Sequence, residues 1–421
     1  MRKMKSSGVS SFGLIPETWK ITKLKNILTL RSLKSGGIGQ LLSVYLDRGV
    51  ISYEDSDGQQ VHKPSFDMSD YQIVRSGDFV LNNQQAWRGS VGVSKYNGII
   101  SPAYFVYAID DSCDAEYMNY LLRCSVMVQQ FETASRGVGT IQRNLFAPWL
   151  LNSWIVIPSI LEQKKIASVL NEKCVEIDTL FADIQSEIET LEAYKQSKVF
   201  DAVGHGLGHV EFTPTDSDVW KTIPIGWNLV DIKYLFEIVK RIAGKEGYEV
   251  IAITQQGLKY KNISTNEGQI ASDYSGYQFV YPGDYAMNHM DLLTGWVDLS
   301  DKFGVTSPDY RVFRLRYPEQ FDRKYYKYVM QCCYMCRIFY SLGQGVSNLG
   351  RWRLQTSAFN DFKVPVPPYE EQVSIGNYLD NVISETNMLI SQKQEQLSIL
   401  TDYKKSIIYE YVTGKKEVPI A

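Results

Sequence analysis

The run Leu161–Lys198 contains neither Pro nor Gly, and it sets Leu170, Cys174, Ile177, Phe181, Ile184, Ile188 and Leu191 three or four residues apart between charged positions. That spacing predicts a long helix with one apolar seam. A second run, Tyr369–Val412, repeats the pattern with Ile375, Leu379, Val382, Leu389, Leu397, Leu400 and Ile407. Thirty-eight helical residues at about 1.5 Å each make a rod of roughly 57 Å, longer than the interior of one small domain requires. Each rod alone would expose its seam, and two rods in one chain can bury their seams against each other.

The rods punctuate a duplication. Pro16 and Trp19 recur as Pro224 and Trp227, both 208 residues on. Tyr71-Gln-Ile-Val-Arg-Ser-Gly-Asp-Phe-Val-Leu-Asn82 recurs as Tyr277-Gln-Phe-Val-Tyr-Pro-Gly-Asp-Tyr-Ala-Met-Asn288, and Ser101-Pro-Ala-Tyr as Ser307-Pro-Asp-Tyr, both at offset 206. Gly137-Val matches Gly345-Val at 208, and Glu162-Gln163 matches Glu371-Gln372 at 209. So small a drift over so many anchors marks a tandem repeat of one globular-plus-rod module. The boundaries follow: a first domain over 14–160, a helix over 161–198, a linker over 199–222, a second domain over 223–368 and a helix over 369–412. Within each domain, short β-favouring runs such as Tyr104–Ile109 alternate with Gly, Asn and Pro turns before helical stretches near Ala115–Gln130 and Tyr325–Tyr340. The fold class is α/β (α+β), duplicated, each domain followed by a long helix. The Gly/His/Thr/Pro stretch Gly204–Thr215 reads as a flexible connector.

Charge is unevenly shared. The first rod holds eight acids against five bases and the second seven against three, so a chain of net charge -3 carries +4 outside its rods. Local positive potential of that kind permits a nucleic-acid surface, although ordinary coiled-coil decoration would look the same. Six cysteines form no disulfide framework in 421 residues, and Cys332–Cys336, among Tyr and Met on a buried helix, read as structural thiols rather than a zinc site. His205 and His209 are ringed by Gly204, Gly206 and Gly208, which disfavours a helical metal pair. No cofactor-binding Gly-rich loop and no paired acids with a nearby lysine are visible, and Asp309 reads as a turn residue. The basic segment Met1–Ser11 is not followed by an apolar run, and no 18-residue apolar run occurs, so the chain is expected to be soluble and cytoplasmic.

Two duplicated loops carry the polar chemistry. The first, 82–89, offers Asn82, Gln84, Gln85 and Arg88, and its counterpart offers Asn288, His289 and Asp291. Asn and Gln can pair with adenine, Arg with guanine, and Asp can accept from cytosine. Residue types that differ on a shared scaffold suit two readers of two sequences, whereas the bland reading is a pair of solvated loops. The second, 134–143, offers Arg136, Thr140 and Arg143, and its counterpart offers Gln344, Asn348, Arg351 and Arg353. There glycines let backbone amides approach an anion and arginines grip phosphates.

Ile15-Pro-Xaa-Xaa-Trp19, Gly137-Xaa-Gly-Thr-Xaa-Xaa-Xaa-Xaa-Leu145, the exit strand Ile155–Gln163 ending in Glu-Gln, and Lys363-Val-Pro-Val-Pro-Pro-Tyr-Glu-Glu-Gln372 with Tyr403-Lys-Lys405 behind it resemble the specificity subunit of type I restriction-modification systems. The likeness covers nearly the whole chain; its departures are Ile223-Pro-Ile-Gly-Trp and a second loop, Gly345-Val-Ser-Asn, without Gly-Thr. The resemblance implies a noncatalytic subunit with two target-recognition domains, each reading half of a split site in double-stranded DNA. It implies that the helices pair as an antiparallel coiled coil, for which the apolar spacing supplies Leu170, Ile177, Phe181, Ile184, Ile188, Leu191, Ile375, Leu379, Val382, Leu389, Leu397 and Leu400. It further implies that they set the gap between half-sites and bind two methyltransferase subunits, with restriction/translocase subunits joining the larger complex. No cofactor is expected on this chain; S-adenosylmethionine, ATP and Mg²⁺ would belong to the partners. Two other classes stay open: a stand-alone DNA endonuclease or methyltransferase, and a coiled-coil scaffold unrelated to DNA.

Overall fold

In the computed structural model, residues 2–56, 64–138, 142–261, 273–345 and 352–418 are described. They form two units, one made of Met1–Ile184 with Glu395–Ala421 and the other of Gln185–Gln394. Each unit is built around an antiparallel four-stranded sheet of the same spatial order. In unit 1 the order is Leu28–Leu30, Tyr104–Ile109, Phe79–Asn82, Val91–Val93; in unit 2 it is Phe236–Val239, Arg311–Leu315, Tyr285–Met287, Val297–Leu299.

The duplicated motifs become matching bonds. In the Gly-Asp turns, Gly77 and Gly283 both adopt φ 91°, a region open to Gly at no steric cost. The adjoining Asp78 and Asp284 are buried and accept the backbone N–H groups of Arg75 and Tyr281, each at 2.8 Å. The Tyr-Gln anchors work the same way. Gln72 Nε2 donates to Tyr104 O at 2.7 Å, and Gln278 Nε2 to Tyr310 O at 2.8 Å, tying each peripheral strand to the Ser-Pro loop.

Pro-Xaa-Xaa-Trp and Glu-Gln meet at the foot of each long helix. Trp19 Nε1 donates to Glu162 at 3.1 Å, and Trp227 Nε1 to Glu371 at 2.9 Å. The neighbouring Gln163 and Gln372 are 0% and 1% exposed. They accept from the backbone N–H groups of Asp114 at 2.7 Å and Asp322 at 2.9 Å. Those two aspartates cap the helices Ala115–Arg123 and Arg323–Met335 by accepting from Tyr117 N and Tyr325 N, satisfying an otherwise orphan helix-start donor.

The first long helix spans Ile160–His205 and the second Tyr369–Val412. The first runs past Lys198 because Val199, Ala202 and Val203 are buried in the core of unit 2. It stops at Gly206, whose φ of 73° and N–H bond to Ala202 O form a left-handed cap. The expected flexible connector is ordered beyond it: Phe212–Pro214 pairs antiparallel with Thr222–Pro224, as Met4–Ser6 pairs with Leu14–Pro16 in unit 1.

Each unit holds the start of one long helix and the end of the other. In unit 1, Leu170 and Ile177 share a core with Ile407, Tyr411 and Val412, and Lys404 bonds Asp178 at 2.5 Å. In unit 2, Lys393 pairs with Glu187, and Lys195 donates to Asn387 at 3.1 Å. Rising position on one helix meets falling position on the other, so the pair is antiparallel. The seam is thinner than the heptad reading anticipates. Ile188 and Ile390 are buried, while Phe181 and Leu389 are 39% and 43% exposed. Thr386 occupies a buried place beside Ile390, so the stripe passes through Ile390 where the heptad count favours Leu389. Among the described residues no helix is long and apolar enough to cross a membrane.

Candidate nucleic-acid interface

In unit 1 the two loops singled out above form one surface. The hairpin of Ser135–Val138 and Gln142–Leu145 sets Gly137 opposite Arg143, and Leu145 N bonds Asn83 O at 3.0 Å. Trp87 lies between them, with Arg88 at 4.6 Å and Arg143 at 4.9 Å from its ring centroid. Arg136 rests on Trp149 and Phe146 at 4.0 and 4.6 Å, and Arg143 also bonds Glu132 at 2.8 Å. A guanidinium already stacked on an aromatic face loses little freedom when it binds. Trp87, Phe146 and Trp149 escaped the sequence reading. The adjacency Trp87-Arg88 was the available signal; the partner Arg143 lies 56 residues away.

The loop's own backbone claims some of the polar residues. Asn82 Oδ1 accepts Gln84 N at 3.0 Å, and Asn288 Oδ1 accepts Met290 N at 3.3 Å, the side-chain turn that Asn makes readily. Asp291 accepts both Leu293 N and Thr294 N at 3.0 Å, and bonds the Thr294 hydroxyl. Partial burial opposes its ionisation, but the bonds from Thr294 and Leu293 outweigh that and hold its carboxyl below the usual range. Gln84 and Arg88 stay exposed, Gln85 is half-buried, and Gly89 closes the loop at φ 102°.

In unit 2 the equivalent loops also adjoin, through Leu354 N to His289 O at 2.9 Å and Leu292 N to Trp352 O at 3.1 Å. Gln344 and Arg353 face each other through paired backbone bonds and are exposed. Thr140, Asn348 and Arg351 lie outside the described residues. Arg311, 4% exposed, replaces Phe105 of unit 1; it donates to Leu354 O at 3.1 Å and stacks on Phe359 at 4.5 Å. Burial, then Arg311 and Arg353, push His289 down to about 4, so its imidazole is neutral at pH 7. Because the unfolded histidine binds its proton near 6.5, stability is full above that pH and declines as pH falls toward 4. His289→Asn, which installs the Asn83 side chain of unit 1, is expected to flatten the decline in melting temperature over that window. An unchanged slope would show that His289 does not set it.

The described residues include no group of three or more His, Cys, Asp and Glu able to hold a metal. What the geometry offers is arginine, amide and aromatic surface, the chemistry of phosphate and base contact.

Comparison with known proteins agrees with this chemistry. Residues 224–398 match the model of the type I restriction modification DNA specificity domain. The chain is 27% identical over 366 residues to the type I restriction enzyme MjaVIII specificity subunit of Methanocaldococcus jannaschii, covering 82% of this chain and 80% of that protein. A structure described under complex assembly and conformational transition of the type I R-M system shares the fold, with a TM-score of 0.68 at 16% identity, over 96% of this chain and 99% of the other. The HsdS subunit from Thermoanaerobacter tengcongensis aligns with a TM-score of 0.50 at 14% identity, over 96% and 98%. Residues 224–398 are thus a type I restriction modification DNA specificity domain, and with its duplicated domains and the long helix behind each the chain as a whole is similar to a type I restriction enzyme specificity subunit.

Proposed function

We propose that this chain is the DNA-reading subunit of a type I restriction-modification complex, each domain reading one half of a split site. The observation that carries the reading is the Trp87 platform, where Arg88 and Arg143 from the two loops converge on one exposed surface. Base contact falls to Gln84, Gln85 and Arg88 in the first domain and to His289 and Gln344 in the second; Asn82, Asn288 and Asp291 shape the loops that present them. Arg136, Arg143 and Arg353 hold phosphates. The chain is noncatalytic: methyl transfer, cleavage and translocation belong to two methyltransferase subunits and to restriction subunits, which supply S-adenosylmethionine, ATP and Mg²⁺. The antiparallel helices fix the unread gap, and their acidic outer faces suit protein partners better than DNA.

Mapping methylated sites in cells that express this chain with its methyltransferase tests the reading. A two-part motif with a constant gap is expected. Arg88→Ala should reduce methylation about tenfold or more, as loss of one bidentate base contact implies, and should relax one half of the motif only. Methylation of the same half-sites at an unchanged rate would remove Arg88 from the reading surface. Methyl transfer or cleavage by the purified chain alone would overturn the noncatalytic assignment.

A further inference from the structure

The helix Arg323–Met335 ends in a pair of sulfurs. Cys332 Sγ and Cys336 Sγ lie 3.8 Å apart, and both thiols are free. Cys332 is fully buried, whereas Cys336 is partly exposed. Cys336 occupies the helix cap, its N–H bonded to Cys332 O at 2.9 Å. The next residue, Arg337, has a φ of 54°, so the regular helix stops where a cross-link would need give. Residues four apart on a helix have Cα atoms about 6 Å apart, inside the span a disulfide bridges.

Unit 1 supplies a built-in comparison. The residue equivalent to Cys332 is Cys124, and the one equivalent to Cys336 is Val128. The second sulfur therefore belongs to one copy alone: both copies keep the Asp cap and the buried tyrosine after it, but the unit 1 helix ends at Arg123, and Val128 lies on the next helix, Ser125–Thr133. The two sulfurs also differ in character. Cys336 is pulled down to about 7 by the hydrogen bond from Cys332, against its burial, with help from the Gln196 amide and opposition from the Asp201 carboxylate of the first long helix. Cys332 is pushed well up by that same bond and by burial. One thiol is thus a ready nucleophile and the other its proton-holding neighbour.

We propose that Cys332 and Cys336 form an oxidisable dithiol, a modification site at which hydrogen peroxide closes an intrachain disulfide in unit 2. The Cys336 thiolate attacks one peroxide oxygen, the O–O bond breaks, and the departing hydroxide takes a proton to leave as water, giving the sulfenic acid. The Cys332 sulfur then attacks Cys336 Sγ; the S–S bond forms, the S–O bond breaks, and the hydroxide leaves with the Cys332 proton as a second water. Two thiols lose two electrons and one peroxide gains them. Closure draws the sulfurs from 3.8 Å to about 2.05 Å and disturbs the cap where Gln196 donates to Met335 O at 3.0 Å. This inference is independent of the DNA reading.

The test uses the full-length reduced protein, a small molar excess of hydrogen peroxide at neutral pH, alkylation of remaining thiols and non-reducing peptide mapping. The peptide Tyr328–Arg337 should lose two hydrogens and keep only Cys333 open to alkylation. Cys333→Ser should behave like wild type, and Cys332→Ser should stop at a sulfenic acid on Cys336 that a dimedone probe captures. Without peroxide, Cys336 should alkylate at least about tenfold faster than Cys124 in the same molecule. An intact three-thiol peptide after peroxide, a bridge through Cys333, or a stable sulfenic acid in the wild-type chain would each overturn the proposal.

Discussion

Gln163→Leu is expected to destabilise unit 1 by about 3–5 kcal/mol while leaving unit 2 unaffected. The side chain is fully buried and keeps three backbone groups satisfied: it accepts from Asp114 N at 2.7 Å and donates to Pro158 O at 3.0 Å and Ser112 O at 3.2 Å. Leucine fills similar space but bonds none of them, and each stranded buried group costs about 1–3 kcal/mol. Asp114 caps the following helix, so its displacement carries the damage into the core. Gln372→Leu is the mirror experiment for unit 2, where Gln372 binds Asp322 N at 2.9 Å and Pro367 O at 2.8 Å. Denaturant unfolding followed by separate probes of the two units reads the result, and a loss under about 1 kcal/mol would show that water replaces the amide.

The largest functional change should come from shortening both long helices together. Removing Glu187–Thr190 from the first and Ile390–Lys393 from the second takes matched segments from the antiparallel pair, within which Lys393 meets Glu187. Four residues are about 6 Å of rise, close to two base pairs at about 3.4 Å each. The methylated motif should keep both halves and lose about two base pairs from its gap. A preferred gap identical to the wild type would sink the idea that the helices measure it.

The duplicated architecture was legible because its signals are local. Heptad spacing, Gly-Asp turns and the Glu-Gln pair stand within a few residues of each other, and the second copy makes each of them visible twice. Their physical meaning was not. Glu-Gln looks like a family signature until Trp19 is found on Glu162 across 143 residues. The loops were placed by sequence, but which of their polar groups turn inward depends on bonds such as Asn82 to Gln84 N, and a list of hydrogen-bonding residue types cannot tell these from outward ones. The heptad count likewise chose Leu389 over Ile390, since a straight helix drifts about 20° per heptad from an ideal repeat and neighbours exchange places along a long seam.

Tyr117 donates to Val412 O at 3.2 Å inside unit 1, and Tyr325 to Val203 O at 2.9 Å inside unit 2. The partners lie 295 residues apart in the first bond and 122 in the second. Unit 2 is drawn from one continuous stretch, Gln185–Gln394, so every residue of its core is present once that stretch has emerged. Unit 1 begins first but must wait for Ile407, Tyr411 and Val412 before its core can close. Contacts of such long separation form late and leave apolar surface uncovered meanwhile. The domain made first is therefore finished last, and it is the one that most needs protection while the chain is still growing.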